Sequence, residues 1–202
     1  MIKNIVFDIG GVLVDYMPKR YLKYIGFSDE EAKLFNNIIF WGKEWFEYSS
    51  NKYDVNKMKE LLLKNYPQYA NKINKIITNI DYNYILFEKI DTTQYLKQLK
   101  NEGYRIYLLS DLNIDSYNFN KQFDFFNYID GGVYSFEVGS TKPNEINYKT
   151  LLNKYDLIPN ETIFIDDNMN NINAGSKLGI ISILFTNLKQ VKEEVIDKIS
   201  NF

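Results

Sequence analysis

The sequence predicts an α/β fold with a parallel sheet that is interrupted by an all-helical insertion. From about residue 91 onward, short apolar runs bounded by turn residues alternate with helical patterns, which is typical of repeated β-α units. A similar apolar run opens the chain, whereas residues 15–83 show helical periodicity and no strand pattern. The length of 202 residues suits one large domain or a core with one insertion.

The first strand is predicted at Ile5, Val6 and Phe7, because a short β-branched run followed by glycines favours a buried strand. Asp8 follows at once. A carboxylate at such a position costs several kcal/mol unless a cation or hydrogen-bond donors compensate it. Asp8 is therefore either a functional residue or the cap of the following turn, and this stretch alone favours neither role.

Residues 15–83 are expected to form only helices. Ser28 and Glu31 form a capping box, Asp54 caps a further helix, and isoleucines between residues 73 and 80 recur at helical spacing. The mixed charges of this region are typical of solvated helix faces. Trp41 and Trp45 are interpreted as helix-packing residues rather than as ligand contacts.

The rest of the chain is predicted to alternate between helices and strands, which implies right-handed crossovers. The predicted elements are a helix capped by Asp91 or Thr92 and ended by Gly103, a strand over 104–109, a helix over 119–126, a strand over 133–136 after a Gly131-Gly132 turn, a helix that begins at Thr141-Lys142-Pro143, a strand over 162–165, a helix over 170–178, a strand over 180–184 and a helix over 189–199.

Polar residues end three of these strands. Asp8 ends the first strand, Ser110 ends the second, and the pair Asp166-Asp167 ends a later one. The carboxyl ends of parallel strands meet along one edge of a sheet, where α/β folds place their chemistry. We therefore expect these side chains to form one site together with Lys142, which opens a nearby helix.

The composition restricts the chemistry of that site. The chain contains no cysteine and no histidine, which excludes thiol nucleophiles, Ser-His-Asp triads and zinc held by either residue type. Clustered carboxylates repel one another unless a cation lies among them, so an oxygen-bound Mg²⁺ is the expected cofactor.

Charge and hydropathy bound the partners. The net charge of −2 indicates no basic surface for nucleic acid, and no apolar run reaches the length of a membrane span. Lys3 and Asn4 inside the first apolar run disfavour a signal peptide. We expect a cytoplasmic monomer or homodimer that binds neither nucleic acid nor membrane.

The residues at the sheet edge suit phosphoryl transfer. Asp8 could attack phosphorus and form an aspartyl-phosphate, with a metal ion neutralising the charge of the transfer. Lys142 and the Ser110 hydroxyl could bind the phosphate oxygens. Each residue has an ordinary alternative role, as a surface lysine or a turn-forming serine, but their joint occurrence favours the functional interpretation.

Four motifs occur in order along nearly the whole chain. They are Phe7-Asp8-Ile9-Gly10-Gly11-Val12-Leu13, Leu108-Leu109-Ser110-Asp111-Leu112-Asn113, Thr141-Lys142-Pro143 with Ile146 and Tyr148 following, and Phe164-Ile165-Asp166-Asp167-Asn168 continuing through Asn171-Ile172, Ala174 and Leu178-Gly179-Ile180. On these motifs the sequence resembles the haloacid dehalogenase-like hydrolase superfamily. The closest resemblance is to its helical-cap phosphatases, a subgroup similar to bacterial α-D-glucose-1-phosphate phosphatase.

The resemblance implies a Rossmann-like parallel-sheet core with helices on both faces, formed by residues 1–14 and 84–202. Residues 15–83 would form an inserted all-helical cap. The implied site consists of Asp8 as nucleophile, Ser110 and Lys142 as catalytic phosphate anchors, Asp111 beside them in substrate binding, and Mg²⁺ held by Asp8, the Gly10 backbone carbonyl, Asp166 and Asp167. The implied function is a magnesium-dependent phosphatase of a small metabolite, with sugar phosphates among the candidates.

Caps of this family close over the site and exclude water, so cap residues should select the substrate. The candidates to face the substrate are Arg20, Glu44, Trp45 and Tyr48.

Gly10 departs from the usual family pattern, in which a second aspartate stands two residues after the nucleophile. That aspartate protonates the leaving oxygen, a contribution commonly worth about 10² to 10⁴-fold. The subgroup named above also has glycine here, so the loss does not by itself imply a dead enzyme. We hypothesise that the substrate carries a good leaving oxygen, as an anomeric or acyl phosphate does.

Two other functions stay open at this point. In a haloacid dehalogenase, Asp8 would attack carbon and neither a metal nor a second aspartate would be needed. Alternatively, Gly10 could mark a catalytically impaired regulatory protein that still binds phosphate. The Asp166-Asp167 pair argues against the first function, and retention of Asp8, Ser110 and Lys142 argues against the second.

Overall fold

A five-stranded parallel sheet forms the centre of the computed structural model, which describes residues 1–200. The strands of the described chain are β1 (Asn4–Phe7), β2 (Val14–Tyr16), β3 (Leu86–Glu88), β4 (Arg105–Ser110), β5 (Gly131–Tyr134), β6 (Thr162–Asp166) and β7 (Ile181–Leu184). The central sheet has the order β5-β4-β1-β6-β7, so β1 lies in the middle. Phe7 is in register with Leu108 of β4 and with Ile165 of β6.

Helices surround this sheet and fill the segment between β2 and β3. The helices are α1 (Pro18–Tyr24), α2 (Asp29–Phe35), α3 (Lys43–Ser49), α4 (Val55–Asn65), α5 (Ala70–Ile77), α6 (Ile90–Asn101), α7 (Ile114–Asn120), α8 (Ser135–Val138), α9 (Glu145–Lys154), α10 (Met169–Lys177) and α11 (Leu188–Ser200). None of those described for residues 1–200 has the length and hydropathy to span a bilayer.

The two faces of the sheet bury separate apolar layers. Side chains alternate along a strand, so Ile5 and Phe7 of β1 belong to one layer and Val6 to the other. Helices α6 and α11 contribute residues to the first layer, and α9 and α10 contribute to the second. The predicted fold class, a parallel α/β sheet with helices on both faces, is confirmed.

Residues of the inserted segment form α1–α5, with a π-helix over Asn36–Phe40 and a 3-10 helix over Pro67–Tyr69 among the connections, as the helical periodicity predicts. β2 and β3, which the sequence did not predict, pair antiparallel where the chain enters and leaves this segment. Strands of three residues are too short to show an alternating pattern. The division into a core of residues 1–14 and 84–202 and a cap of residues 15–83 stays a proposal.

The predicted cap of α6 is wrong. The residue that precedes α6 is Lys89, and Asp91 and Thr92 lie inside the helix. The Lys89 backbone N–H donates to the Leu13 carbonyl at 2.8 Å, which continues the β2–β3 pairing directly into the helix. A tertiary hydrogen bond therefore sets the helix start without help from a capping side chain.

Three further boundaries differ from prediction. The helix predicted over 119–126 is α7, which begins earlier because Asn113 caps it by accepting from the Ser116 N–H at 2.8 Å; a 3-10 turn over Asp124–Tyr128 follows. Thr141-Lys142-Pro143 precedes α9 rather than opening it, because Asn144 is the cap.

The Gly131-Gly132 pair lies inside β5 and not in a turn. The Tyr155 ring packs so closely here that a Cβ atom on Gly131 would lie 2.5 Å from it. The Tyr155 hydroxyl accepts from the Gly132 N–H at 2.9 Å. Glycine in this strand therefore marks a close approach of a side chain to the backbone.

Candidate active site

The polar residues at the strand ends converge at the carboxyl edge of the sheet. Asp8 follows β1, Ser110 ends β4 and Asp166 ends β6, and these three strands are neighbours. Carboxylate oxygens of Asp8, Asp166 and Asp167 all lie within 4.8 Å of one another. The structure thus brings together acids that are about 160 residues apart in the sequence.

Asp8 is almost fully buried at this edge. Its Oδ1 accepts from the Ile9 N–H at 2.7 Å and lies 3.0 Å from Lys142 Nζ. Burial raises the pKa of Asp8 to about 8, with the Asp166 charge adding to the rise, while Lys142 and a hydrogen bond from Ser110 oppose it. The carboxylate therefore needs more positive charge than the side chains around it supply.

Lys142 is the cation of this edge. Its buried Nζ donates to Asp166 Oδ2 at 2.7 Å and to the Leu109 carbonyl at 2.9 Å, in addition to its contact with Asp8. Burial alone would lower the pKa of Lys142, but the surrounding carboxylates raise it above the ordinary value, so the ammonium stays charged. Lys142 thus donates two hydrogen bonds and forms an ion pair with Asp8. Its predicted role as a phosphate anchor stays a prediction.

Asp166 is held rigidly. It is fully buried, and its oxygens accept from the Asn168 N–H at 2.8 Å and from Asn171 Nδ2 at 3.0 and 3.1 Å, besides Lys142. The backbone of Asn171 is itself held in place, because its backbone carbonyl accepts from the Tyr148 hydroxyl at 2.9 Å. Asn171 belongs to the fourth motif, but the sequence assigns it no role. The structure shows that its side chain positions Asp166.

Asp167 is the exposed member of the cluster and packs on Gly11. A Cβ atom on Gly11 would lie 2.0 Å from Asp167 Oδ2, and Gly11 has a φ of +73°. Burial, and then the charge of Asp166, raise the pKa of Asp167. Glycine is thus required at position 11 for two reasons, the backbone conformation and the closeness of the Asp167 carboxylate.

The donor set fits a hard divalent cation. All three clustered side chains offer carboxylate oxygens, and burial, with the charge of Asp166 adding to it, raises the pKa values of Asp8 and Asp167, which a bound cation would offset. Mg²⁺ prefers oxygen ligands and uses one or two carboxylates. Asp8, Asp166, Asp167 and the Gly10 carbonyl are the residues that we predict to hold it.

Asp111 binds mainly to the neighbouring loop of the protein. Its Oδ1 accepts from the Lys142 backbone N–H at 3.0 Å, which fixes the loop that carries Lys142. Burial raises the pKa of Asp111 to about 6, although the charge of Lys142 opposes the rise. Asp111 also lines the cavity described below, where the sequence places it in substrate binding.

Lys89 contacts the site although no sequence pattern predicts it there. Its Nζ donates to the Gly11 carbonyl at 2.9 Å and lies 3.8 Å from Asp15 Oδ1. The Lys89 charge also opposes the rise in the pKa of Asp167. A single lysine at a helix start has no distinguishing pattern, so only the three-dimensional contacts identify it as a support of the Asp8–Gly11 loop.

A cavity of about 790 Å³ opens above the strand ends. Asp8, Ser110, Lys142 and Asp167 line it from the sheet side. Phe40, Trp41, Trp45 and Phe46 line it from the inserted segment. Trp41 and Trp45, interpreted above as packing residues, thus both face the cavity, because the chain from α2 to α3 folds over the sheet edge.

Of the four cap residues expected to face a substrate, only Trp45 lines the cavity. The Arg20 guanidinium lies 4.2 Å from the centre of the Phe87 ring. Glu44 accepts a hydrogen bond from Asn65, and the Tyr48 hydroxyl donates to Asp115. The expectation that Arg20, Glu44 and Tyr48 face the pocket is wrong for this cavity, since none of them lines it and each contacts other residues of the protein.

The family profile described as haloacid dehalogenase-like hydrolase matches residues 2–179. The chain belongs to this family. The resemblance inferred from the four motifs is therefore confirmed, and the protein is a hydrolase by family.

Two curated relatives cover most of the chain. A D-ribitol-5-phosphate phosphatase of Bacteroides thetaiotaomicron is 28% identical over 193 residues, which cover 89% of each chain. A sesquiterpene phosphatase of Aspergillus oryzae is 22% identical over 91% of this chain and 90% of that protein.

Solved structures share the fold. A haloacid dehalogenase family enzyme of Bacteroides thetaiotaomicron, crystallised with magnesium and inorganic phosphate, has a TM-score of 0.66 at 23% identity over 91% of this chain and 94% of that one. An L-2-haloacid dehalogenase of Xanthobacter autotrophicus has a TM-score of 0.67 at 15% identity over 98% of this chain and 83% of that one. The fold is thus common to enzymes that differ in chemistry.

Proposed function

We propose that this hydrolase is a magnesium-dependent phosphatase of a small phosphorylated metabolite and that it works through an aspartyl-phosphate on Asp8. The observation that carries the proposal is the cluster of Asp8, Asp166 and Asp167 within 4.8 Å, with Lys142 at 3.0 Å from Asp8. A carboxylate nucleophile with a cation beside it matches the demands of phosphoryl transfer.

When bound among these carboxylates, magnesium would supply the positive charge that lets a phosphate dianion approach Asp8. An Asp8 oxygen forms a bond to phosphorus, the bond between phosphorus and the leaving oxygen breaks, and that oxygen keeps the electron pair. Water then attacks the aspartyl-phosphate, which releases inorganic phosphate and restores Asp8. Lys142 and the Ser110 hydroxyl are proposed to hold the phosphate oxygens during both steps.

Gly10 offers no acid for the leaving oxygen, so that oxygen must leave as an anion or take its proton from solvent. This is the basis of our proposal that good leaving oxygens are favoured. The names of the two curated relatives, a ribitol phosphate phosphatase and a sesquiterpene phosphatase, support phosphate monoesters as the substrate class.

The test is phosphate release from a panel of phosphorylated metabolites, with magnesium and with a chelator, beside a halide-release assay on 2-haloacids. We expect phosphate release that requires magnesium and is lost in Asp8→Asn. Halide release without phosphate release would instead establish the dehalogenase function. Binding of phosphate esters without turnover by wild type and variant alike would establish an impaired regulatory protein.

A further inference from the structure

The chemistry of the cavity wall bears on the part of the substrate that leaves. We propose that the leaving group is uncharged and mainly apolar beyond the phosphate ester, whatever the acidity of its leaving oxygen. This inference rests on the proposed function, because it specifies the substrate of the same site.

The charge of the wall excludes a second anionic group on the substrate. Among the described residues that line the cavity, Lys142 is the only cation, and the proposed function already assigns it to the reacting phosphate. Asp15, Asp111 and Asp167 also line the cavity. A second phosphate or a carboxylate would therefore meet like charges without a free cation to offset them.

The mouth of the cavity is apolar and exposed. Met17, Trp41, Phe46 and Met169 line it, and their exposed fractions are 45%, 56%, 39% and 51%. Large apolar side chains that cluster in this way around a cavity mark a surface that a ligand or partner covers. Because these four belong to the catalytic cavity itself, we assign the covering group to the substrate.

The aromatic side chains of the wall support one another. The Trp41 ring centre lies 5.8 Å from that of Tyr16 and 6.3 Å from that of Phe46, and Phe40 and Trp45 are 4.9 Å apart. Rings held by such contacts lose little freedom when a ligand binds. They offer contact area to an apolar chain or ring, and their only hydrogen-bonding atoms are the Tyr16 hydroxyl and the indole N–H groups of Trp41 and Trp45.

The polar groups of the wall are mostly occupied within the protein. Asn113 Oδ1 accepts from the Tyr82 hydroxyl and from the Ser116 N–H, and the Ser116 hydroxyl donates to the Asn113 carbonyl. Asn171 is occupied by Asp166. A polyol entering this cavity would give up bonds to water and find only the carboxylates of Asp15, Asp111 and Asp167 as ready acceptors, which limits its affinity.

Two buried polar atoms are the exceptions. The Tyr16 hydroxyl and Asn120 Oδ1 have no hydrogen-bond partner in the described chain, and both residues line the cavity. Asn120 is fully buried, and its Nδ2 donates to the Ser116 carbonyl at 2.7 Å. Buried polar atoms are normally paired, so each of these two would gain a partner from a polar group brought into the cavity.

The experiment compares matched primary alkyl monophosphates in the presence of magnesium. We expect kcat/KM for n-octyl phosphate to exceed that for ribitol 5-phosphate by roughly ten-fold or more, mainly through KM. Both esters have primary alkyl leaving oxygens of similar leaving ability. The difference in kcat/KM therefore measures contacts with the cavity wall. Octane-1,8-diyl bisphosphate should be poorer than n-octyl phosphate by roughly ten-fold, because its second phosphate meets the acidic wall.

Variants of the wall provide the second measurement. Trp41→Ala and, separately, Phe46→Ala should raise KM for n-octyl phosphate several-fold and change KM for ribitol 5-phosphate little. Tyr24→Ala is the matched control, because Tyr24 is an exposed aromatic residue of α1 that does not line the cavity. Equal effects of Trp41→Ala on both substrates would overturn the inference.

Acetyl phosphate distinguishes failure of this inference from failure of the proposed phosphatase function, because it is small and has a labile leaving group. If acetyl phosphate is hydrolysed with magnesium but ribitol 5-phosphate is the better alkyl substrate, the inference is wrong and the proposed function stands. If no monophosphate is hydrolysed, acetyl phosphate included, the proposed function fails and the inference fails with it.

Discussion

The carboxyl edge of the sheet and the aromatic wall line the same cavity but are built in opposite ways. At the edge, Asp166 and Lys142 are buried, and their polar atoms are bound to protein partners. At the wall, Trp41 and Phe46 are exposed, and the Tyr16 hydroxyl has no described partner. A rigid charged edge suits chemistry that is common to a family, whereas an open apolar wall suits selection of one leaving group. Changes at the edge should therefore affect every substrate, and changes at the wall should depend on the substrate.

The largest effect is expected for Asp8→Asn. Removing the nucleophile should lower phosphate release roughly 10⁴-fold or more for every substrate. Because the pKa of Asp8 is raised to about 8, the neutral amide should not reduce thermal stability in metal-free protein. Phosphate-release kinetics and a thermal melt measure the two quantities. Substantial residual turnover would show that Asp8 is not the nucleophile.

Lys142→Met should destabilise the metal-free protein by about 3–5 kcal/mol, because it leaves the fully buried Asp166 carboxylate without its cation. Urea unfolding measures the loss, and added magnesium should restore part of it. Lys149→Met is the matched control, since Lys149 forms an exposed pair with Glu145 and its removal should cost less than about 1 kcal/mol. Equal losses in the two variants would contradict the role given to the edge.

Two adjacent glycines should respond in opposite ways. A Cβ atom on Gly10 would meet no atom within 4 Å beyond its chain neighbours, so Gly10→Asp fits and should raise turnover of simple alkyl phosphates roughly 10²-fold. Anomeric phosphates should gain less, since their leaving oxygen depends less on an acid. Gly11→Ala should instead impair the site, because its Cβ would collide with Asp167. If alkyl and anomeric substrates gain equally, the leaving-group hypothesis is wrong.

Asp167→Asn should weaken magnesium binding by roughly ten-fold or more, because it removes one of the three clustered carboxylates. Titration calorimetry with magnesium alone measures the dissociation constant. Asp15→Asn is the control, since Asp15 lines the same cavity outside the cluster and should leave magnesium affinity unchanged. Similar losses in both variants would place the ion elsewhere in the cavity.

The smallest effect concerns Asp111. Its folded-state pKa of about 6 lies above the ordinary value of 3.8, so ionisation disfavours the folded state and stability falls as pH rises through that interval. Asp111→Asn keeps an oxygen that can accept from the Lys142 N–H. The variant should lack this pH dependence and be more stable than wild type at pH 7. Urea unfolding across this pH range checks it, and identical slopes would show that Asp111 is not strained by burial.

Local sequence patterns predicted the sheet and most helices. They failed at positions where contacts between distant segments determine the local structure. Asn113 and Asn144 could not be distinguished as caps from other nearby polar residues, because capping preferences allow several candidates in each stretch. Gly131 was placed in a turn, although the ring of Tyr155 accounts for its glycine. The Trp41 and Trp45 rings face a cavity that exists only when the inserted helices lie over the sheet edge.

The sequence by itself determined the parallel α/β fold, the absence of histidine and cysteine chemistry, and the family, because these depend on periodicity, composition and ordered motifs. The tertiary structure alone decided that Lys142 bridges Asp8 and Asp166, that Lys89 holds the Gly11 carbonyl, and that an apolar wall covers the site. These features join residues far apart in the chain, and no local pattern records which distant segments will meet.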